Sequence, residues 1–90
     1  MKIIDVEKPE TLKNKFFRVI SKDQDEILCL PGIGAKHVKF SIPKNAIVKI
    51  TDFNVMRDVQ WFEVEYNGEK YLFSSFQITA YFIPIKIRNG

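Results

Sequence analysis

The chain has little cysteine and little histidine: its 90 residues contain one of each, Cys29 and His37. A single thiol excludes an internal disulfide, and one cysteine with one histidine supply too few ligands for a structural zinc site within one chain. Nucleophilic catalysis would need both side chains and an orienting third group within hydrogen-bonding reach, which nothing in their spacing requires. We therefore expect no catalytic residue, no metal and no cofactor, with Cys29 a small buried apolar residue.

Long apolar runs are also missing. No segment approaches the roughly 20 apolar residues of a membrane span. The amino-terminal sequence MKIIDVEKPE lacks the apolar run of a secretory signal peptide. These features predict a soluble, cytoplasmic chain without a membrane partner.

The net charge of the chain is small, +3, but its charged residues are unevenly distributed. Residues 31–57 contain five basic residues and one acid, whereas residues 58–75 contain four acids and one lysine. Two interpretations are open from the sequence. The charges are either ordinary solvated strand faces or a basic surface beside an acidic hairpin.

Apolar and aromatic residues are abundant, at 46% and 13% of the chain, as expected for a folded protein. The length predicts a single domain, residues 1–90, that buries only about two thirds of its unfolded surface. We expect its function to reside on a surface or in a shallow groove.

The strongest local signal is a hairpin over residues 60–75, QWFEVEYNGEKYLFSS, in which Asn67 and Gly68 form a two-residue type I′ turn. This turn fixes which residues of the two strands face each other. One face of the hairpin then carries Phe62, Val64, Tyr66, Tyr71 and Phe73, and the opposite face carries Trp61, Glu63, Glu65, Lys70, Leu72 and Ser74.

The remaining pattern predicts further short strands. They cover residues 1–7 (a short edge strand), 16–21, 26–30, 37–42, 46–51 and 78–87, with a turn or single helical turn over 9–15 and a loop over 52–58. In the fourth of these, Val38, Phe40 and Ile42 share one face, and we expect Phe76, Tyr81 and Phe82 in the core near the closing strand. Several short strands separated by turns predict an all-β barrel or sandwich.

Two segments together resemble a known family. IPKNAIVKI, followed by QWFEVEYNGEKYLFSSFQI, is similar to the bacterial SH3-like domain, and the resemblance covers residues 40–78. It implies a small SH3-like barrel of five to six antiparallel strands. It also implies that the tryptophan leading the hairpin, here Trp61, lines a ligand groove.

Trp61 is accordingly the leading candidate for partner binding. Phe53, Met56 and Arg57 precede it in the predicted loop, and Glu63 and Glu65 follow on its strand face. An aromatic residue beside arginine is typical of protein-binding hot spots. The sequence therefore predicts a non-catalytic binding or regulatory module whose partner is another protein or peptide. An inhibitor or adaptor from a phage or mobile element is one hypothesis.

A second resemblance is local. Residues 25–38, DEILCLPGIGAKHV, resemble the helix-hairpin-helix element of DNA-binding proteins, in which a glycine-rich turn presents N–H groups to a phosphate. The alternation of apolar residues over 37–42 favours two strands joined by a loop instead. Both interpretations are open at this stage.

Either structure leaves phosphate recognition as the alternative function. N–H groups near Gly32 and Gly34, together with the basic surface, could bind nucleic acid or a nucleotide. The basic candidates are Lys36, His37, Lys39, Lys44 and Lys49.

Overall fold

Strands dominate the computed structural model, which describes residues 4–34, 36 and 38–86. A 3-10 helix, Pro9–Thr11, precedes strands β1 (Phe16–Val19), β2 (Glu26–Leu28), β3 (Leu30–Pro31), β4 (Ser41–Pro43), β5 (Ile47–Met56), β6 (Val59–Tyr66) and β7 (Glu69–Ser74), and helix α1 (Ser75–Tyr81) leads into β8 (Phe82–Ile85). The predicted mainly β class is confirmed.

The strands form two antiparallel sheets. The larger has six strands in the order β3-β7-β6-β5-β1-β8, and the smaller pairs β2 with β4. Because β3 and β8 lie at opposite ends of that order, strand pairing among the described residues does not close the sheet into a barrel. The interior is apolar. Its fully buried members are Phe17, Val19, Ile27, Ile42, Val48, Ile50, Phe62, Val64, Phe73, Ile78 and Phe82.

The hairpin of β6 and β7 has the predicted register. Trp61 pairs with Ser74 and Tyr66 with Glu69, and Asn67 and Gly68 adopt the positive φ angles of a type I′ turn, 53° and 77°. The predicted inner face is also correct, since its central residues are buried, whereas Trp61 lies on the opposite face and is partly buried. The Asn-Gly pair thus determines which side chains are available at the surface.

The predicted loop over 52–58 is correct only at residues 57–58. Strand β5 continues to Met56, and a bulge between Ile50 and Asp52 shifts its register against β6. The chain then reverses at Arg57 and Asp58, whose φ angles are 50° and 63°. Arg57 is not one of the glycine, asparagine or aspartate residues that dominate such turns, so the Arg-Asp pair is a weak turn signal.

This turn is strained, and we expect its replacement to stabilise the protein. Left-handed backbone costs most non-glycine residues about 1–2 kcal/mol. Changing Arg57→Asn together with Asp58→Gly should raise the free energy of unfolding by about 1 kcal/mol, measured by urea denaturation. The reciprocal control, Asn67→Arg with Gly68→Asp, should lower it. A double variant no more stable than the parent would show that the turn stores no strain.

The carboxyl-terminal prediction is also partly wrong. Residues 78–81, predicted to begin the closing strand, belong instead to α1, because Ser74 and Gln77 make a capping box: the Ser74 hydroxyl accepts the Gln77 N–H, and the Gln77 side chain accepts the Ser74 N–H. Phe76 is 77% exposed on this helix and is not a core residue. Phe82 is buried as predicted and begins β8, which ends at residue 85, while residue 87 lies outside the described range.

Residues 26–28 and 30–31 are strands, so the helix-hairpin-helix interpretation is wrong. Strand β2 pairs with β4, and β3 pairs with β7. Of the predicted strand over 37–42, residue 37 lies outside the described range, residues 38–40 are not in a strand, and residues 41–42 belong to β4. Its proposed apolar face does not form, because Val38 and Phe40 are 67% and 57% exposed while Ile42 is buried. No strand occurs over residues 4–7, and residues 1–3 lie outside the described range. The short helical turn predicted over 9–15 is present as the 3-10 helix.

Candidate functional site

A shallow groove lies beside Trp61 on the face of the six-stranded sheet that points away from the core. Its volume is about 90 Å³. Among the described residues, it is lined by Ile33, Asp52, Phe53, Asn54, Met56, Trp61, Glu63 and Leu72. We call it the Trp61 groove. Of the predicted partner-binding residues, it unites Phe53, Met56, Trp61 and Glu63.

Strand register explains this assembly. Across β5, β6 and β7, Asn54, Trp61 and Ser74 lie side by side, and Asp52, Glu63 and Leu72 form the neighbouring row. Side chains of neighbouring strands at paired positions share one face of a sheet. The hairpin therefore presents its indole next to an apolar leucine and two carboxylates.

Phe53 has two roles. It pairs with Phe62, their ring centroids are 6.4 Å apart, and it packs against the core while also lining the Trp61 groove. Arg57 and Glu65 do not line the groove. Arg57 is exposed at the turn of the β5–β6 hairpin, and Glu65 lies two residues further along β6 than Glu63, on the same face.

Ile33 forms a wall that the sequence pattern did not identify. Leu30 pairs with Leu72, and the Gly32 N–H donates to the Lys70 carbonyl at 2.9 Å. Only glycine permits this approach, because a Cβ at position 32 would lie 2.5 Å from the Lys70 Cβ. The close contact with β7 brings Ile33, which is 80% exposed, to the groove.

The carboxylates near the groove differ in their surroundings. Lys70 Nζ lies 3.5 Å from both Glu63 Oε1 and Glu65 Oε2, and the Thr51 hydroxyl donates to Glu63 Oε1 at 2.8 Å. Asp52 is exposed, and its Oδ1 accepts the Phe53 N–H at 2.9 Å. Glu63 and Glu65 thus share an internal cation, and Asp52 is the groove carboxylate open to an external one.

The phosphate-binding candidates in the described part of the chain differ in their surroundings. The Gly32 N–H is occupied by Lys70, Lys44 Nζ lies 3.5 Å from Asp25, and Lys49 Nζ lies 5.8 Å from the centre of the Phe16 ring on β1. Gly34, Lys36 and Lys39 are exposed, and Lys44 is exposed as well despite its ion pair. His37 lies outside the described residues.

Cys29 is buried, as predicted, with 7% of its surface exposed. Burial raises the pKa of its thiol from 9.0 to about 12. Since the thiolate is the reactive form, this cysteine is poorly suited to nucleophilic chemistry. Burial also raises the pKa of Tyr71, and the charge of the Cys29 thiolate contributes to that shift.

The thiol should make stability depend on pH under alkaline conditions. Above pH 9.0 the unfolded chain releases a proton that folded Cys29 retains, so the free energy of unfolding should fall as pH rises. Between pH 9 and 10 the expected loss is about 1 kcal/mol, measured by urea denaturation. Cys29→Ala should lack this loss; an equal loss in both proteins would assign the effect to other groups. Tyr71 should contribute mainly above its ordinary pKa of 10.0.

Within the described ranges, no helix is both long enough and apolar enough to cross a membrane. Comparison with known protein families, curated proteins and solved structures found no match to this chain.

Proposed function

We propose that the protein is a non-catalytic binding module. Its partner is a protein or peptide that inserts one aliphatic side chain into the Trp61 groove. The observation that carries this proposal is the convergence of Trp61, Met56, Leu72 and Ile33 on one open concavity. Apolar side chains around an indole are the composition of a binding hot spot. Adaptors and inhibitors both work in this way.

The size of the groove supports a single anchor. Its volume of about 90 Å³ is smaller than the apolar cavity of about 150 Å³ that accommodates benzene. A valine, leucine or isoleucine side chain suits a groove of this size.

The edges of the six-stranded sheet are poor sites for adding a partner strand, and this favours the face of the sheet as the docking surface. At one edge, Pro31 on β3 has no N–H, and the Gly32 N–H that follows it points into the sheet, to Lys70 on β7. At the other edge, Pro84 has no N–H and the Phe82 N–H donates to the Ile78 carbonyl. Addition of a partner strand depends on free main-chain groups at an edge. Recognition through side chains on the face is the better supported mode.

Two larger depressions are lined by side chains that are less suited to holding an apolar anchor. One, of about 360 Å³, is lined by residues 20–24 together with Ala80 and Tyr81. The other, of about 350 Å³, lies among residues 5, 11–12, 15–17 and 84–85. Neither contains any of the predicted site residues, and neither combines an indole with a thioether.

The resemblance of residues 40–78 to SH3-like domains supports the same proposal, because a tryptophan at this position lines the ligand groove in that family. Phosphate recognition is the lesser alternative. It is supported by the exposure of Gly34, Lys36 and Lys39, which lie close together in the sequence, and by the positive φ of Gly34, 80°.

A direct test uses the only tryptophan of the chain as its probe. Peptides selected from a displayed random library on the full chain are titrated while Trp61 emission is followed. Insertion of an aliphatic side chain beside the indole removes water from it, and we expect a saturable shift of emission to shorter wavelength. Binding that leaves the emission unchanged would place the contact outside the groove.

A further inference from the structure

We infer that the partner segment carries a lysine or arginine next to its aliphatic anchor, and that Asp52 binds this cation. The inference rests on the proposed function of the Trp61 groove, which it deepens by specifying the partner. It specifies the charge of the partner segment, whereas the proposed function specifies only the size and apolar character of its anchor.

Two carboxylates line the Trp61 groove, Asp52 and Glu63, and they face each other across β5 and β6. Glu63 is already engaged by Lys70 and by the Thr51 hydroxyl. Lys70 Nζ lies 3.5 Å from carboxylate oxygens of both Glu63 and Glu65, so the charge of Glu63 is already partly neutralised. A partner cation at Glu63 would also be repelled by Lys70, so it would gain less there than at an unpaired carboxylate.

Asp52 is in a different position. In the described part of the chain, no lysine or arginine forms an ion pair with it. One of its oxygens accepts the Phe53 N–H, which fixes the carboxylate at the margin of the groove, and the side chain is exposed. A cation from solvent can therefore approach it without breaking an existing contact.

Charge complementarity then decides the partner. Acidic segments are disfavoured, because they would meet Asp52 and Glu63 together. Apolar segments with a basic neighbour gain an ion pair at the margin while their anchor is buried. Such marginal charge pairs contribute mainly to specificity and to association rate, so the expected effect on affinity is modest.

The test is selection from a displayed random dodecapeptide library on the full chain, in parallel with Asp52→Asn and with the control Asp58→Asn. Asparagine at position 52 retains an oxygen for the Phe53 N–H, so the strand should be unaltered. Asp58 is an equally exposed carboxylate on the same hairpin that does not line the groove.

We expect the parent to enrich peptides with lysine or arginine one or two positions from an aliphatic residue. Their affinity should fall about threefold to fivefold in Asp52→Asn and stay unchanged in Asp58→Asn. Raising the salt concentration should weaken binding to the parent more than binding to Asp52→Asn.

Two results would overturn the inference, and they are distinguishable. Peptides that depend on Trp61 but show no basic preference, or that bind Asp52→Asn as well as the parent, would refute the role of Asp52 and leave the groove as the binding site. Failure to enrich any peptide that depends on Trp61 would refute the proposed function and this inference together.

Discussion

Replacing Trp61 with alanine is expected to weaken the binding of a selected peptide by at least about 2 kcal/mol, which is roughly a 30-fold loss of affinity. The indole supplies the largest apolar surface of the groove, and its removal leaves the anchor of the peptide partly exposed to water. Aromatic residues at the centre of an interface commonly have effects of this size. Calorimetry is the appropriate measurement, because the variant has lost its only fluorescent indole.

The fold should survive this change. Trp61 lies on the face of β6 opposite the buried Phe62 and Val64, so its truncation creates no cavity in the core. A matched control is Phe76→Ala, which removes an exposed aromatic ring that does not line the groove. We expect that control to bind normally. If Trp61→Ala retained the affinity of the parent while remaining folded, the Trp61 groove would not be the binding site.

Gly32→Ala is expected to cost about 1–3 kcal/mol of folding stability, because the new methyl group has no space. Its carbon would lie 2.5 Å from the Lys70 Cβ and 2.8 Å from the Lys70 carbonyl carbon, so main chain must move. That movement breaks the hydrogen bond from the Gly32 N–H to Lys70 and withdraws Ile33 from the groove. Peptide affinity should therefore fall along with stability.

Two measurements separate these effects. Urea denaturation gives the loss of stability, and hydrogen exchange at the Leu72 amide reports separation of β3 from β7, which pair at Leu30 and Leu72. Gly34→Ala is the control. A Cβ there meets no atom within 4 Å, so only its φ of 80° opposes alanine, at about 1 kcal/mol. Equal exchange rates at Leu72 in Gly32→Ala and the parent would contradict the proposed packing.

Local signals account for the parts of the fold that the sequence predicts. Asn67 and Gly68 specify a turn, and the turn specifies the register of β6 and β7, so the face carrying Trp61 follows from period-two alternation. Helix α1 was missed for a different reason. Its Ser74 to Gln77 capping box is a valid start signal, but it lies directly after an alternating strand whose pattern dominates the window.

Non-local pairing accounts for what the sequence does not predict. Ile33 joins the groove because β3 pairs with β7, some 40 residues later in the chain, and no periodicity encodes that contact. The position of the β5–β6 turn is not predicted because Arg57, which rarely adopts left-handed backbone, occupies its first position. The ion pairs of Lys70 likewise depend on register. Only the folded chain therefore shows that Glu63 is paired with Lys70 while Asp52 is available to a partner cation.

The two prolines that protect the sheet edges have a consequence for how the protein behaves when it is concentrated. The chain exposes large apolar side chains, among them Ile33 and Phe76, and such surfaces invite self-association. Growth of a fibril requires edge strands that can recruit identical strands through their main chain. Pro31 and Pro84, on the two edge strands of the six-stranded sheet, lack the N–H group that a recruited strand would bind. Contacts that copies make through the six-stranded sheet in solution should therefore use side chains and remain reversible on dilution.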